Sequence, residues 1–191
     1  MSVSDFTVKP LTIDDWDDLE KLFGKNGASG GCWCMWWRLT RAEFRKHKGE
    51  GNRKALQAII AAGMPPGIIA YDEDIPVGWC SVAPREQFPR LDASPILKKV
   101  DETHVWSVIC FFVASGHRNS GLSVKLLQAA VEYVRKQDGL VVEGYPHAIG
   151  HEKKPAPSVY TGLHSAFLKA GFKEIVRRSD RRPIMRYHIQ P

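Results

Sequence analysis

A short segment between a long apolar run and a long amphipathic run has the residues needed to bind an anion. Its sequence, GHRNSGLS, covers residues 116–123 and includes an arginine, two glycines and two serines. Amides at the start of a helix attract phosphate, and a glycine allows a ligand to approach the backbone closely. Arg118 can add a charge-assisted hydrogen bond. The same residues also suit an ordinary strand-to-helix connection, and the segment alone leaves both interpretations open.

Two cysteines in the glycine-rich segment GKNGASGGCWCMWWRL are candidate metal ligands. Cys32 and Cys34 would supply half of a site, and His147 and His151 the other half. Structural zinc sites separate their paired cysteines by two to four residues, whereas one residue separates this pair. We therefore expect no metal. The aromatic residues around the cysteines are also typical of an apolar plug at one end of a domain.

The pattern of apolar residues predicts the elements that hold these two segments. THVWSVICFFV is apolar on both faces, which indicates a strand in the middle of a sheet. An amphipathic helix is expected from Leu122 onward. Three helices are expected earlier in the chain. The first follows Thr12, the second begins at the capping pair Thr40 and Glu43, and Asn52 caps the third. GIIAYDEDIPVGWCSVAP predicts a hairpin, PREQFPRLDASPILKK is expected to be irregular, and three short strands and a short helix follow the amphipathic helix.

The composition is typical of one α+β domain over residues 1–191, with 43% hydrophobic and 25% charged residues. No apolar run reaches the roughly 18 residues of a membrane span. The first residues lack the basic and then apolar pattern of a signal peptide. Four cysteines without such a signal favour reduced thiols. We therefore expect a cytoplasmic protein that does not bind a membrane.

A formal net charge of +6 would attract nucleic acid or a phosphorylated ligand. The most basic segment, RRSDRRPIMR, covers residues 177–186. Aromatic residues do not alternate with these arginines, as they would on a surface that stacks bases. The pattern therefore favours a solvated face on a terminal strand over a nucleic-acid interface.

The segment FFVASGHRNSGLSVKLLQAAVEYVRKQ resembles the acetyl-CoA-binding segment of the GNAT N-acetyltransferase superfamily. That segment is an apolar strand ending in valine, followed by [QR]-x-x-G-x-[GA] at the start of a helix. Val113, Arg118 and Gly121 match it, and Ser123 stands where glycine or alanine is usual. FLKAGFKEIVRR resembles the family's LxxxGF ending. GGCWCMWWR, GWCSVAPREQFPRL, VEGYP and RPIMRY are similar to one bacterial branch of the superfamily.

The resemblance implies a single GNAT-like domain with a mixed, mostly antiparallel, twisted sheet of about six to seven strands, flanked by helices. In this family two neighbouring strands separate, and the pantetheine arm of acetyl-CoA lies between them. The resemblance gives the Val113 amide the role of polarising the thioester carbonyl. It assigns the pyrophosphate to the turn residues Arg118, Asn119, Ser120, Gly121, Leu122 and Ser123.

The family reaction is attack by an amine on the thioester, so protons must move. Many members have a tyrosine four residues before the glycine of GF, where it protonates the leaving thiolate; this chain has Phe167 there. Tyr160 and Tyr145 are substitutes, unless they are half-buried aromatic residues with no role in the reaction. An amine with a pKa of roughly 10.4 must first lose a proton. Glu143 is a candidate general base, or else an ordinary solvent-facing residue of its strand.

The acceptor is not identified by the sequence, and both a small-molecule amine and a peptide amine fit. In this family the loop between the first helices borders the amine site. Trp33, Trp36 and Trp37 are therefore expected to line that pocket or to form the plug. The sequence leaves open whether the protein forms a homodimer. Two other functions also fit, a CoA-binding module without transfer activity and a basic nucleic-acid-binding domain.

Overall fold

The computed structural model describes residues 6–149 and 158–190. Within them, seven strands form one sheet in the order β1-β2-β3-β4-β5-β7-β6. Neighbouring strands pair antiparallel, except β4 and β5, which are parallel. The sheet is therefore mixed and mostly antiparallel, as the sequence predicts. Its strands are β1 (Thr7–Pro10), β2 (Gly67–Asp72), β3 (Ile75–Pro84), β4 (Trp106–Val113), β5 (Val141–Gly144), β6 (Lys173–Arg177) and β7 (Pro183–His188).

Helices cover both faces of this sheet. They are α1 (Trp16–Phe23), α2 (Arg41–Lys46), α3 (Glu50–Ala61), α4 (Pro89–Asp92), α5 (Leu122–Arg135) and α6 (His164–Lys169). Successive side chains of a strand point to opposite faces. In β2, Ile69 and Tyr71 pack with residues of α1 and α3, whereas Ile68 and Ala70 pack with α5 and α6. In the part of the chain that the structure describes, no helix could cross a membrane.

Local signals at the helix starts are partly confirmed. Thr40 and Glu43 form the expected capping pair, with the Thr40 N–H donating to Glu43 Oε2 at 2.9 Å. The expectation that Asn52 caps a helix is wrong, because α3 already begins at Glu50. Asn52 is buried, and its Nδ2 donates to the Gly31 carbonyl at 3.0 Å. It therefore holds the glycine-rich loop against α3. The segment expected to be irregular contains α4.

The basic segment 177–186 is only in part the solvated face that the sequence suggests, because Arg177 and Arg181 are exposed but three other arginines are not. Arg178 donates to the carbonyls of Lys98 and Lys99 at 2.6 and 2.9 Å. Arg186 is buried in β7 and pairs with two carboxylates. Arg182 donates to the Tyr145 carbonyl at 3.1 Å. These three arginines hold protein groups together, because each donates to an acceptor on another part of the chain, which weakens the case for a nucleic-acid interface.

Candidate functional site

The sheet opens between β4 and β5. The two strands pair over three residues each, from Trp106 opposite Val142 to Val108 opposite Gly144. β4 then continues to Val113 with β3 still paired on one side and no strand of the described residues on the other. Beyond Gly144 the place of β5 is taken by a loop, whose Tyr160 carbonyl accepts the Phe111 N–H at 2.6 Å. Amides alternate in direction along a strand. The Val113 amide therefore points away from β3, like that of Phe111, and into the opening.

A cavity of about 790 Å³ lies at this opening. Its walls are the last five residues of β4, the turn before α5, the loop after α1 and the loop that contains Tyr160. Most of the site residues expected from the sequence lie in this lining, although they come from four separate parts of the chain. Those residues are Val113, Arg118, Asn119, Gly121, Leu122, Ser123, Trp36, Trp37 and Tyr160.

The turn before α5 presents free backbone amides to the cavity. Gly121 is the N-cap of α5 at φ +83°, and no side chain caps the helix. The Val124 N–H returns to the Gly121 carbonyl at 2.9 Å, and the preceding amides have no intrahelical partner by helix geometry. A Cβ on Gly121 would meet nothing within 4 Å, so the space beside it is open. This end of the cavity suits an anion.

Two further contacts shape the turn. The Arg118 Nε donates to the Val113 carbonyl at 3.2 Å, which ties the arginine to the end of β4. The Ser120 hydroxyl donates to the His117 carbonyl at 2.7 Å, and Ser120 is the one expected turn residue outside the lining. His117 was not expected at the site. It lines the cavity, and its Nε2 lies 3.0 Å from Asp72 Oδ2.

The three tryptophans separate into two groups. Trp36 and Trp37 line the cavity. Trp33 does not: it is buried, and its ring stacks on Trp16 with centroids 5.8 Å apart. A Cβ at Gly27 would lie 2.3 Å from Trp33 Nε1, so a glycine there makes room for the ring. Trp33 is therefore part of the apolar plug and not of the pocket wall.

Three of the four cysteines, Cys32, Cys34 and Cys110, line the same cavity. Cys34 Sγ lies 3.6 Å from Cys110 Sγ and accepts from Trp79 Nε1 at 3.1 Å. Burial and the neighbouring Cys34 raise the pKa of Cys32 to about 11, which keeps this thiol neutral. Over residues 6–149 and 158–190, no group of three histidine, cysteine, aspartate or glutamate side chains is arranged to hold a metal ion. His151 of the hypothetical zinc site lies outside the described residues.

Tyr160 is the candidate acid that faces the cavity. Burial, with a contribution from Cys110, raises the pKa of its phenol to about 12, partly offset by Arg182. The hydroxyl therefore stays protonated at neutral pH. Tyr145 is buried outside the lining, and its hydroxyl donates to Glu143 Oε1 at 2.7 Å. Phe167 is also fully buried and packs edge-on against Phe111, with centroids 6.2 Å apart.

Glu143 takes neither of the roles expected from the sequence. Its side chain is 1% exposed and does not line the cavity. One carboxylate oxygen accepts from Tyr145 and, at 3.2 Å, from Arg85, and the other accepts from Arg186 at 2.7 Å. Both oxygens are therefore occupied. Glu143 is the centre of a buried ionic cluster, defined here as Glu143, Tyr145, Arg85 and Arg186, which joins β5 to β7 and to the end of β3.

Sequence reasoning missed the residues that the opening itself exposes. Ile109 and Phe111 belong to a strand that is apolar on both faces, and nothing in its pattern marks where its partner leaves. Lys48 also lines the cavity, although it follows α2 by two residues. Lys48 and Arg118 are its lining residues of permanent charge, and no carboxylate from the described residues joins them.

Comparisons with known proteins match this chain to one family and to several solved structures. The model of the acetyltransferase (GNAT) family matches residues 33–148. A search of the curated proteins gives no match. PaiA N-acetyltransferase from Thermoplasma acidophilum, solved with coenzyme A, has 13% identity and a TM-score of 0.53, with 97% of this chain and 99% of that chain covered.

Two further solved structures are similar. Polyamine N-acetyltransferase of Drosophila melanogaster, which forms N-acetylagmatine, has 10% identity and a TM-score of 0.58, with 97% and 100% of the chains covered. The protein yncA from Salmonella typhimurium, solved with its cofactor acetyl-CoA, has 13% identity and a TM-score of 0.53, with 97% and 94% covered. At these identities the similarity establishes the fold.

Proposed function

Because the chain belongs to the acetyltransferase (GNAT) family, we propose that it transfers the acetyl group of acetyl-CoA to an amine held at the aromatic end of the cavity. One observation carries the proposal. A single cavity joins the uncapped start of α5, which suits a pyrophosphate, to the open edge of β4, which suits an extended pantetheine arm. Arg118 to Ser123 would hold the phosphates.

Acetyl-CoA supplies a thioester, whose carbonyl carbon forms a bond to the acceptor nitrogen while the carbon–sulfur bond breaks. The Val113 amide would stabilise the negative charge on the carbonyl oxygen. Tyr160 would give its proton to the departing sulfur and regain one from water. With Glu143 bound in the ionic cluster, the proton of the amine would pass to water.

Acetyl-CoA is expected to stabilise the folded protein. At 100 times its dissociation constant a ligand adds about 2.7 kcal/mol to the free energy of unfolding. For a chain of this size that corresponds to a rise in Tm of about 5–10 °C. Acetyl-pantetheine lacks the diphosphate and should give a smaller rise at the same concentration. An unchanged Tm with acetyl-CoA near 1 mM would contradict the cofactor assignment.

Tyr160→Phe is expected to lower kcat at least about tenfold, since general acid help is worth roughly 10²–10⁴-fold. The affinity for acetyl-CoA should not change, because the hydroxyl acts on the sulfur during transfer. Thiol release, measured once an acceptor is found, gives the rate. With a phenol pKa of about 12, the ratio of wild-type to variant rate should stay constant from neutral pH to about pH 10.

The matched control is Tyr133→Phe, the same change at a buried tyrosine of α5 that does not line the cavity. We expect its turnover to match that of the wild type. Wild-type turnover by the Tyr160→Phe variant would show that sulfur leaves as the thiolate without an acid from Tyr160.

A further inference from the structure

Three arginines lie next to lining residues of the cavity without lining it themselves: Arg38 interacts electrostatically with Cys34, Arg90 lies over Trp36 and Arg182 interacts electrostatically with Tyr160. Arg38 donates to Gln87 Oε1 at 2.6 Å. Arg90 donates to the Trp36 carbonyl at 2.9 Å, and its guanidinium lies 3.6 Å from the centre of the Trp36 ring. Arg182 lies 3.2 Å from His147 Nε2 and donates to the Tyr145 carbonyl. Within the described residues, no ion pair joins Arg38, Arg90 or Arg182 to a carboxylate.

These arginines lie at the end of the cavity opposite the turn. Trp36 and Trp37 pack beside Ile109 and Cys110, at the far end of the part of β4 that β5 does not pair. From Ile109 to Val113 the extended strand covers about 13 Å. The phosphate-binding candidates beside Val113 are thus separated from the Trp36–Trp37 end by the length of the open edge, and Arg90, which lies over the Trp36 ring, is next to the end proposed for the acceptor.

Several donors at this end have no acceptor among the described residues. They are buried: Nε and Nη2 of Arg38, Nε of Arg182 and Nε1 of Trp37. Buried polar groups are hydrogen-bonded in most proteins, and each exception asks for an explanation such as an absent ligand. All of these groups are donors. The complementary ligand group is therefore an acceptor, and beside arginine guanidinium groups a carboxylate fits best.

The electrostatics of the three arginines agree with this geometry. Burial lowers the pKa of Arg38 to about 10 and lowers the pKa of Arg182, where Tyr160 opposes the change. Burial, and then Arg41, lower the pKa of Arg90. By contrast, Arg186 of the ionic cluster pairs with Glu143 and Asp101, which raise its pKa against the effect of burial. No carboxylate of the described residues gives Arg38, Arg90 or Arg182 such compensation.

The same charges disfavour a polycationic acceptor. Lys48 and Arg118 line the cavity, the three arginines stand behind it, and no carboxylate from the described residues lines it. A diamine or polyamine would bring further positive charge into this field. For a single amine the field is useful, because nearby cations lower the pKa of an ammonium group and favour the neutral form that attacks the thioester.

We propose that the acceptor is an amine that carries a carboxylate beside an apolar or aromatic body, with the carboxylate held by the arginines at the Trp36–Trp37 end. The inference rests on the proposed acetyl transfer and gives its substrate class. Trp36, Trp37, Ile109 and Cys110 supply the apolar wall, the arginines supply the anion site, and the amine then lies toward Val113.

The test compares amines that differ in the carboxylate alone. Calorimetry on the CoA-saturated protein measures binding of L-tryptophan against tryptamine and of L-phenylalanine against 2-phenylethylamine, with spermidine as the polycation. Hydrogen bonds to charged groups are worth enough to predict at least about tenfold tighter binding of each carboxylate member. Thiol release from acetyl-CoA, measured on the same five amines, gives transfer separately.

Arg90→Gln and Arg182→Gln should each reduce the difference in affinity between the two amines of a pair, chiefly because the amine with the carboxylate binds more weakly. The KM for acetyl-CoA should not change. Arg177→Gln is the matched control, because Arg177 pairs with Glu174 on the surface and does not line the cavity. The comparison within the wild type keeps the test valid if one of the other variants does not fold.

The outcomes separate this inference from the proposed function. Equal binding within the pairs, tighter binding of spermidine, or no binding by either carboxylate probe overturns the inference, while thiol release decides on acetyl transfer. A carboxylate preference that the arginine variants reduce supports it. If the amines with a carboxylate bind more tightly but none of the five amines causes thiol release, the result would support the anion site and count against the proposed transfer.

Discussion

Gly121→Val is expected to weaken acetyl-CoA binding at least about 100-fold, a loss of about 2.7 kcal/mol. In the structure the Cβ position of Gly121 is open and borders the cavity. An isopropyl group there would occupy the space proposed for the pyrophosphate and would cover the amides at the start of α5. Hydrogen bonds from such amides to a charged group are worth about 1.5–3 kcal/mol each. Calorimetry with acetyl-CoA measures the change.

The control must account for backbone strain, because valine disfavours the left-handed conformation of Gly121. Gly63 has φ +77°, its Cβ position is equally open, and it lies outside the cavity. Gly63→Val should therefore lose a similar amount of stability and retain normal binding. If a folded Gly121→Val variant bound acetyl-CoA normally, the turn would be an ordinary strand-to-helix connection and not a phosphate-binding site.

Glu143→Gln is expected to lower the free energy of unfolding by about 3 kcal/mol. Removing one partner of a buried ion pair costs about 3–5 kcal/mol, and the lower end applies because Arg85 and Arg186 keep Asp92 and Asp101 as partners. Denaturant unfolding measures the change. In a chain of this size it corresponds to a fall in Tm of about 6–12 °C.

Glu174→Gln makes the same change at a carboxylate that pairs with Arg177 on the surface. Exposed ion pairs are worth about 0–1 kcal/mol, so this control should change little. A general base at Glu143 would give a different result: stability near that of the wild type, with the acidic limb of the rate profile removed. That result would contradict the structural role assigned to the ionic cluster.

The sequence alone determined most of the elements and the family. α5 follows from its apolar stripe, and the central place of β4 follows from a strand that is apolar on both faces. Both signals are periodic and local, so they can be recognised in the sequence without knowing which distant residues are in contact. The motif of Val113, Arg118 and Gly121 is local as well, which is why the phosphate-binding candidates could be named in advance.

The tertiary structure decided which side chains meet at the cavity. A period of two tells which residues share a face of β4, but not that β5 leaves it after Val108 and opens the wall at Phe111. Nor could local spacing separate Tyr160 from Tyr145. Both are aromatic residues near strand ends, and one faces the cavity while the other contacts a buried carboxylate.

The charged residues show most clearly that a local sequence pattern does not predict long-range partners. Glu143 and Arg182 each suited a solvated position by their local pattern, yet Glu143 meets Arg85 and Arg186 from 58 and 43 residues away. Arg182 meets His147 from 35 residues away. Whether a buried charge is compensated depends on partners brought by the whole fold. The sequence therefore determined that the chain has the turn and strand of an acetyltransferase. The packing decided that Glu143 is paired with buried arginines, whereas no carboxylate among the described residues pairs with Arg38, Arg90 or Arg182.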